Sequence, residues 1–375
     1  MKKIIKKIIL SIIYRLPFKN WIVLESAPDL SDNTEAVFNE MIRRGVNNKY
    51  RLFWFCYDRF EKRTRIKNVR YVYKRSFSRF LILNLSRMVV SCNRFVYSER
   101  PNAVNVYLGH GNPLKNTKGY YLIPEAYHYI LATSEGMKKI RADFYNYDTE
   151  KIIPLGYPRN DVFSANPLDL HTFFKADFDK VIVWYPTVRQ FKGGLTTGSS
   201  HALPIVWDKQ KALQLNEIAK KERVLIVLKP HFAQNLDCIR SLDMSNIQFI
   251  DDSFFEKNKI SSYRFVGSCD ALLTDFSSIY YDYTLCDKPI GLIWEDYNEY
   301  QKNPGFAVDM NYMMKGGYKI YNLEDFSSFI GEVANNVDSL CNERRAIRDF
   351  ANYSSDGKNS ARVVDFLMSK LPLKS

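Results

Sequence analysis

The sequence contains few cysteines, six among 375 residues, and none forms a CxxC pair or a cluster with histidine. Most lie in or beside apolar runs, where a cysteine acts as a small buried hydrophobe. This pattern disfavours a structural zinc site and a disulfide framework, and it favours reduced thiols in the cytosol. The six are Cys56, Cys92, Cys238, Cys269, Cys286 and Cys341.

Familiar nucleotide-binding and metal-binding motifs are also missing. The sequence has no GxxxxGK[ST] loop, no GxGxxG turn and no DxD pair at the end of an apolar run. These absences disfavour a P-loop kinase and a nucleotide dehydrogenase. We therefore predict no metal and no other cofactor, and we expect cations and helix N-termini to neutralise any bound diphosphate.

The N-terminal segment lacks a hydrophobic run long enough to cross a membrane. Its longest uncharged run, Ile8–Tyr14, is far below the roughly 20 residues that a spanning helix needs, and no signal-peptide cleavage site follows it. Isoleucines and lysines nevertheless recur at helical spacing, which predicts a basic amphipathic helix over residues 1–20. We expect this helix to lie on an anionic membrane at the cytoplasmic face. The membrane-binding residues would be Lys2, Lys3, Ile5, Lys6, Lys7 and Ile9; a helix docked on the core is the alternative.

Acidic residues are outnumbered, 41 against 54 lysines and arginines, which gives a net charge of +13. Such a balance suits nucleic acid, an anionic membrane or phosphorylated substrates. Because no RNP, helix-turn-helix or zinc signature is present, we expect no nucleic-acid partner, although a basic nucleic-acid binder remains a competing hypothesis.

What the sequence does contain is apolar runs that alternate with amphipathic ones, and 46% of its residues are hydrophobic. Strand, helix, strand is the signature of a parallel sheet with helices on both faces. The pattern pauses near Asn166 and Pro167 and then restarts, which predicts two α/β, Rossmann-like doubly wound domains with a ligand cleft between them. The predicted strands are Trp21–Leu24, Leu52–Cys56, Val69–Tyr73, Met88–Ser91, Val104–Leu108, Tyr129–Ala132, Ile152–Leu155, Val181–Trp184, Val224–Leu228, Ile247–Ile250, Ala271–Leu273 and Ile290–Trp294.

The predicted domain boundaries follow from these runs. After the helix of residues 1–20 come an N-terminal domain (21–166), a C-terminal domain (167–340) and C-terminal helices (341–375) that could pack back on the N-terminal domain. Residues 191–203 are rich in Gly, Ser and Thr and predict a surface loop, either a lid or an inert connection.

Polar residues follow five of the predicted strands, at the sheet edge where doubly wound domains bind ligands. Together they indicate a cationic, hydrogen-bonding site for phosphates. In chain order they are His110, Arg159 with Asp161, Thr187 with Arg189, Lys229 with His231, and Thr274, Asp275, Ser277 and Ser278.

The last group, in the run LLTDFSSIYYD, joins a strand to a predicted helix. Backbone N–H groups of a first helical turn and two hydroxyls can bind an anion without a lysine. A plain helix cap with no ligand is equally consistent with this run. The other groups have similar alternatives: His110 could cap a helix, Arg159 could pair with Asp161, and Lys229 and His231 could be solvated.

Six blocks of this sequence resemble the CDP-glycerol glycerophosphotransferase family, which includes teichoic acid primases and polymerases and capsule enzymes. The blocks occur in the family's order over roughly residues 22–310, and the last is the most specific. They are ESAPDLSDNTEAVFNEM (25–41), GHGNPLKN (109–116), GYPRNDVF (156–163), YPTVRQF (185–191), LKPH (228–231) and DALLTDFSSIYYDYTLCDKPI (270–290).

The resemblance implies a GT-B-like fold and transfer of a polyol phosphate from a CDP-activated donor to a hydroxyl of a lipid-linked saccharide or polymer, with release of CMP. It implies that His110 is the general base and that His231 also serves catalysis and diphosphate binding. Lys229, Ser277 and Ser278 would bind the diphosphate, supported by Arg159, Thr187, Arg189, Thr274 and Asp275. Asp282 would orient other groups, and Asp161 would be a further supporting residue.

Two departures from the family pattern concern the acceptor or the transferred group. Leu108 and Gly109 replace the aromatic residue usual before the histidine, and the downstream Asn303–Phe306 segment lacks an arginine. The identity of the polyol is open, and a GT-B sugar transferase that uses a nucleotide sugar is the alternative enzyme.

Overall fold

A computed structural model describes residues 2–57, 65–73, 77–116, 122–187, 203–206, 208–230 and 236–371. The chain forms two compact units. The N-terminal unit comprises Met1–Gly111, Tyr121–Asp161 and Tyr353–Ser375, and the C-terminal unit comprises Asn112–Tyr120 and Val162–Asn352.

The N-terminal unit is built on a seven-stranded parallel sheet in the order β3-β2-β1-β4-β5-β6-β7. The middle residues of its central strands are apolar, because helices cover both faces of the sheet. In β2, for example, Phe53, Trp54 and Phe55 are all buried. The strands are β1 (Lys19–Glu25), β2 (Arg51–Cys56), β3 (Val69–Tyr73), β4 (Ser86–Ser91), β5 (Val104–Tyr107), β6 (Tyr129–Ala132) and β7 (Ile152–Pro154).

The helices of this unit include one from the end of the chain. They are α1 (Lys2–Arg15), α2 (Asp32–Arg43), α3 (Val46–Lys49), α4 (Phe77–Leu85), α5 (Glu135–Tyr145) and α15 (Asn359–Ser369). The helix α15 places Val363, Val364 and Leu367 in the same hydrophobic core as β1 and β2. The chain thus returns to its first unit after completing the second.

The C-terminal unit repeats the plan with a six-stranded parallel sheet in the order β10-β9-β8-β11-β12-β13. The strands are β8 (Lys180–Trp184), β9 (Val224–Leu228), β10 (Ile247–Phe249), β11 (Ala271–Thr274), β12 (Ile290–Ile293) and β13 (Tyr318–Ile320). The helices are α6 (Lys209–Lys221), α7 (Asp237–Arg240), α8 (Asp252–Asn258), α9 (Ser262–Ser268), α10 (Ile279–Tyr283), α11 (Tyr297–Lys302), α12 (Met310–Met313), α13 (Leu323–Ala334) and α14 (Cys341–Ala351).

The prediction of two α/β, Rossmann-like units with parallel sheets is confirmed, and all twelve predicted strands are present. A thirteenth strand, Tyr318–Ile320, was not predicted, because it has only three residues and one of them is an exposed lysine. The GT-B-like arrangement about a cleft stays a prediction.

An α-helix is present over Lys2–Arg15. Its second half docks on the N-terminal unit, since Leu10 and Ile13 are buried and the Tyr14 hydroxyl donates to the Glu99 carbonyl at 2.9 Å. The side chains of its first half lie outside the described part, so a membrane-facing role stays a prediction. Across the described residues, the helices are all too short or too polar to cross a bilayer.

Candidate active site

Both sheets reverse their strand order beside their first strand, and doubly wound folds bind ligands at this switch point. In the N-terminal unit the switch lies between β1 and β4, and in the C-terminal unit it lies between β8 and β11. The residues that follow these strands and their neighbours therefore form one candidate region in each unit.

In the N-terminal unit, the turn Gly109–Gly111 follows β5, and side chains hold all three of its backbone carbonyls. Asn33 Nδ2 donates to the Gly109 carbonyl at 2.8 Å, and Arg159 Nη1 donates to the His110 carbonyl at 2.7 Å. Arg141 Nη1 donates to the Gly111 carbonyl at 2.8 Å. Gly109 has a φ of 66°, a conformation that glycine adopts without strain. The donors come from α2, α5 and the 3-10 helix Pro158–Ser164, so they fix the turn on three sides.

His110 projects from this fixed turn with its side chain exposed. Desolvation by the surrounding protein lowers the pKa of His110 below its ordinary value. Asp32 raises that pKa, whereas Arg159 and Arg141 lower it further. An exposed imidazole that is neutral near physiological pH can accept a proton, which is the role that the family resemblance implies for it.

Arg159 was predicted to bind phosphate, but its described contacts serve the histidine turn. Its Nη1 atom forms an ion pair with Asp32 at 2.9 Å, with both side chains mostly buried, in addition to its bond to the His110 carbonyl. In the described contacts, Arg159 pairs with Asp32, whereas the Asp161 carboxylate accepts backbone N–H groups of α15. A role for Arg159 in phosphate binding stays a prediction.

Asp161, the predicted supporting residue, receives hydrogen bonds at the start of α15. Its carboxylate accepts from the backbone N–H groups of Asn359 at 2.8 Å and Ser360 at 2.7 Å. These are unsatisfied donors of a first helical turn, so Asp161 caps α15 and ties it to the end of β7. These contacts concern α15, so a supporting role of Asp161 in ligand binding stays a prediction.

Two glutamates of the N-terminal unit have unusual acidity. Burial raises the pKa of Glu25, at the end of β1, to about 7, although hydrogen bonding from Tyr57 at 3.0 Å opposes the shift. Burial and the nearby charge of Asp32 raise the pKa of Glu35 to about 7. Both lie in the 25–41 sequence block, next to the switch point.

In the C-terminal unit, Asp275 joins the ends of the two switch-point strands. Its carboxylate accepts the Thr187 N–H at 2.9 and 3.0 Å and the Thr187 hydroxyl at 2.5 Å. It also accepts the Phe276 N–H at 2.6 Å. Asp275 and Thr187 are both buried. This buried pair therefore holds the loops after β8 and β11 together and supports the shape of the candidate site.

Ser277 and Ser278 come next and are partly exposed. Within the described ranges neither hydroxyl has a hydrogen-bond partner, and Ser278 precedes α10 without capping it through its side chain. The plain-cap alternative therefore does not account for these two hydroxyls. Thr274 is different, because its hydroxyl donates to the Tyr185 carbonyl at 2.8 Å and the residue is fully buried.

Lys229 supplies a cation at the end of β9, the strand next to β8. Its Nζ atom lies 2.9 Å from an Asp252 carboxylate oxygen and 5.8 Å from the centre of the Tyr185 ring. Because Asp252 is largely exposed, the pair is weak and an anionic ligand can compete for the lysine.

Asp282 lies on α10 and is buried, where it accepts the Tyr263 hydroxyl at 2.7 Å. This contact joins α10 to α9, which agrees with an orienting role. Arg189, His231 and residues 191–202 of the predicted loop lie outside the described residues. Among the described residues, no group of three or more His, Cys, Asp or Glu side chains could hold a metal ion.

A cavity of about 520 Å³ lies in the C-terminal unit, and the Asn303–Phe306 segment, which departs from the family pattern, forms part of its wall. The Phe276 ring, adjacent to Ser277, lies 5.2 Å from the Phe306 ring and so connects this wall to the serine turn. Polar side chains suited to hydroxyl groups line it, including Asn116, Gln301, Asp309 and Asn311.

Sequence reasoning missed three residues that hold the histidine turn: Asp32, Asn33 and Arg141. Asp32 and Asn33 lie in the 25–41 block, for which the family resemblance implied no roles for individual residues. Arg141 lies in an amphipathic helix where a cation is expected to face solvent, and only the tertiary structure shows that it is fully buried.

Comparison with known proteins places the chain beside enzymes of bacterial envelope synthesis. The family model of CDP-glycerol:poly(glycerophosphate) glycerophosphotransferase matches residues 8–369. The teichoic acid glycerol-phosphate primase of Bacillus subtilis is 24% identical over 252 residues, which cover 67% of this chain and 60% of the primase. The teichoic acid glycerol-phosphate transferase of Staphylococcus aureus is 24% identical over 357 residues, which cover 84% of this chain and 86% of the transferase.

The teichoic acid poly(ribitol-phosphate) polymerase of Bacillus spizizenii is 25% identical, with 88% of this chain and 56% of the polymerase covered. The chain therefore spans less than two thirds of the primase and of this polymerase. A solved structure of the wall teichoic acid polymerase TagF has a TM-score of 0.71 and 20% identity, and covers 97% of this chain and 95% of that chain. At this identity the likeness establishes the fold.

Proposed function

Because the chain belongs to the CDP-glycerol:poly(glycerophosphate) glycerophosphotransferase family, we propose that it transfers glycerol phosphate, or a related polyol phosphate, from a CDP-activated donor. The acceptor is a hydroxyl of a lipid-linked saccharide or of a growing polymer in teichoic-acid or capsule-type synthesis. The observation that carries the proposal is the Gly109–Gly111 turn, which holds an exposed histidine with a lowered pKa at a Rossmann-type sheet edge.

The proposed reaction is an in-line displacement at the donor phosphorus that bears the polyol. The acceptor oxygen forms a new bond to this phosphorus, while the bond between the phosphorus and the oxygen shared with CMP breaks. His110 accepts the proton of the acceptor hydroxyl, and CMP leaves with the bridging oxygen. Such transfers depend mainly on positioning and on neutralising the phosphate charge.

On the donor side, the proposal assigns the diphosphate to the C-terminal unit. Ser277 and Ser278 offer two hydroxyl donors, and Lys229 offers a cation on the neighbouring edge of the same sheet. Hydrogen bonds to an anion are about twice as strong as those between neutral groups, so these donors also stabilise the charge on departing CMP. Asp275 and Thr187 hold the loops in shape and take no direct part.

We further propose that the enzyme works as a peripheral protein on the cytoplasmic face of the membrane, where α1 keeps it near a lipid-linked acceptor. Supporting this idea are the four lysines in the first seven residues of the chain. The attraction of such a segment to anionic lipid is about 1 kcal/mol per lysine near the surface.

The proposal is tested by incubating the purified chain with CDP-glycerol, CDP-ribitol and a panel of lipid-linked acceptors. We expect release of CMP that depends on both substrates, together with an acceptor lengthened by polyol phosphate. Nucleotide sugars are the comparison donors, because sugar transfer without any CDP-polyol turnover would favour the sugar-transferase alternative. Failure with every CDP-linked donor would refute the proposed function.

A further inference from the structure

The hydrogen bonds to the histidine turn include one from a side chain that cannot reach a substrate. Arg141, on α5, has no solvent-exposed surface, yet its Nη1 atom donates to the Gly111 carbonyl at 2.8 Å. A Cβ atom added at Gly109 would collide with the same guanidinium group, so the turn rests directly on it. The positive charge of Arg141 is thus built in beneath His110.

Burial of a charge is costly unless an opposite charge accompanies it. Over the described part of the chain, Arg141 forms no ion pair with a carboxylate. Its charge faces aromatic rings instead, with the guanidinium carbon 5.2 Å from the centre of the Tyr145 ring and 5.5 Å from that of Tyr157. Contacts with the faces of aromatic rings compensate only part of the free-energy cost of removing the charge from water. An apolar side chain would fill the same space without the cost of a buried charge, but it could not donate to the Gly111 carbonyl.

The other cation at the turn is compensated. Arg159 lies 2.9 Å from the Asp32 carboxylate, so the two charges largely cancel at His110. Arg141, on α5, is the cation at the turn that has no acidic partner among the described residues. With Arg141 and Arg159 as cations and Asp32 as the carboxylate, the charges acting on His110 sum to a net positive charge.

We propose that Arg141 is a positioning residue for His110, one that fixes the Gly109–Gly111 turn and places an uncompensated positive charge against the imidazole, so that the ring stays neutral and able to accept a proton. This inference rests on the proposed function for its catalytic meaning. Its electrostatic part concerns the resting protein and can be measured without any substrate.

Four groups from four elements act on the protonation of His110. Asp32 at the start of α2 raises the pKa of His110, as does a backbone hydrogen bond with Cys92 after β4. Arg159 in the 3-10 helix and Arg141 on α5 lower that pKa, and desolvation by the protein is the largest cause in the same direction. Removal of Arg141 alone should therefore leave Asp32 dominant among the charges and favour the imidazolium form.

The test is an NMR titration of histidine-labelled protein, with the His110 signal assigned by its loss in His110→Ala. In Arg141→Gln, the titration midpoint should rise by about one pH unit. Arg141→Lys keeps the charge and should keep the midpoint near that of the wild type. Lys139→Gln is the matched control, because it removes a charge from the exposed face of the same helix.

Activity adds a second readout. In Arg141→Gln, the acid limb of the kcat/KM profile should move to higher pH together with the NMR midpoint, so that activity recovers in alkaline buffer. Asn33→Ala removes a different clamp without changing charge, and it should lower turnover without moving the midpoint. An unchanged midpoint in Arg141→Gln, or an equal rise in Lys139→Gln, overturns the proposal.

Two further points keep the test decisive. If Arg141→Gln does not fold, as judged by thermal melting, the wild-type titration decides, because a midpoint at or above the ordinary histidine value of about 6.5 overturns the proposal. If the wild type transfers nothing from CDP donors while the midpoint still responds to Arg141, the proposed function fails and the electrostatic inference stands.

Discussion

His110 is the residue on which the proposed chemistry depends, so its removal should affect the reaction more than ligand binding. We expect His110→Ala to lower turnover by about 10²- to 10⁴-fold, the usual contribution of a general base, with CDP affinity nearly unchanged. Turnover is followed by CMP release and affinity by calorimetry. The exposed His171→Ala is the control, and turnover of His110→Ala equal to that of the wild type would remove His110 from the base role.

In the TDFSS turn, substitution of the serines should mainly lower CDP affinity, whereas substitution of the aspartate should mainly lower stability. Ser277→Ala with Ser278→Ala removes two hydroxyls that have no hydrogen-bond partner among the described residues, so stability should stay within about 0.5 kcal/mol while CDP affinity falls by roughly 10- to 100-fold. Asp275→Ala removes the carboxylate that accepts the Thr187 and Phe276 N–H groups and should cost about 2–4 kcal/mol of stability. Urea unfolding and calorimetry measure the two effects; lost stability in the serine double variant would contradict this division.

Glu25 gives a prediction on pH, because burial raises its pKa from the ordinary 4.5 to about 7. Between these two values the folded protein keeps a proton that the unfolded chain has lost, so the stability contributed by the protonated carboxyl falls as pH rises. Glu25→Gln lacks this titration and still accepts the Tyr57 hydroxyl. The wild type should lose on the order of 2–3 kcal/mol relative to Glu25→Gln between pH 4.5 and pH 7.5.

Chemical unfolding at a series of pH values provides the measurement for Glu25. The exposed Glu256→Gln is the matched control, since it makes the same substitution where solvent covers the side chain. Parallel stability curves for the wild type and Glu25→Gln would show that the buried carboxyl does not titrate as described.

At the scale of single residues, the sequence indicated which side chains lie at strand ends but not what they contact. The exposed positions of His110, Ser277 and Ser278 were predictable because each residue closely follows an apolar run that forms a strand. Arg141 was not, since its function depends on burial beneath a turn that lies thirty residues away in the sequence. The contacts of Asp161 with α15 were not predictable either, because the backbone N–H groups that it accepts lie almost two hundred residues later in the sequence.

Among the helices, α15 offers a test that separates stability from binding. Asp161 accepts two N–H groups at its first turn, and the helix completes the core of the N-terminal unit. Asp161→Ala should therefore lower the free energy of unfolding by about 1–2 kcal/mol, as expected for loss of a cap, with CDP affinity unchanged. Asp161→Asn retains an acceptor and should recover part of the loss. A fall in CDP affinity at equal stability would return Asp161 to ligand binding.

Strands were more predictable than helices for a physical reason. A strand buried on both faces reads as a continuous apolar run, so β2, β9 and β12 are visible in the sequence alone. Short helices such as α8 and α12 begin at capping aspartates and carry little hydrophobic periodicity, so they were not predicted. Helix α4 ends at Leu85, because Ser86 and Arg87 already belong to strand β4.

For the whole molecule, the question is where its net charge of +13 acts. Six cations precede Glu25, the first acidic residue, so almost half of the excess lies in the first segment. The second half of α1 is docked through Leu10 and Ile13, which fixes the helix to the N-terminal unit. Leu10 and Ile13 lie beyond the lysines of residues 2–7, so docking of the second half and the proposed membrane binding by the first half are compatible.

Replacement of Lys2, Lys3, Lys6 and Lys7 by Gln tests this idea, since it removes four charges and about 4 kcal/mol of attraction to anionic lipid. Sedimentation with phosphatidylserine-containing vesicles should show binding weakened by roughly 10²- to 10³-fold, with CMP release from a soluble acceptor analogue unchanged. The control replaces four exposed lysines of the C-terminal unit, Lys220, Lys221, Lys257 and Lys259, and makes the same change in net charge. If both variants lose binding equally, the whole basic surface attracts the membrane and α1 has no special part. If only the first variant does so, α1 is the segment that holds the enzyme at the membrane.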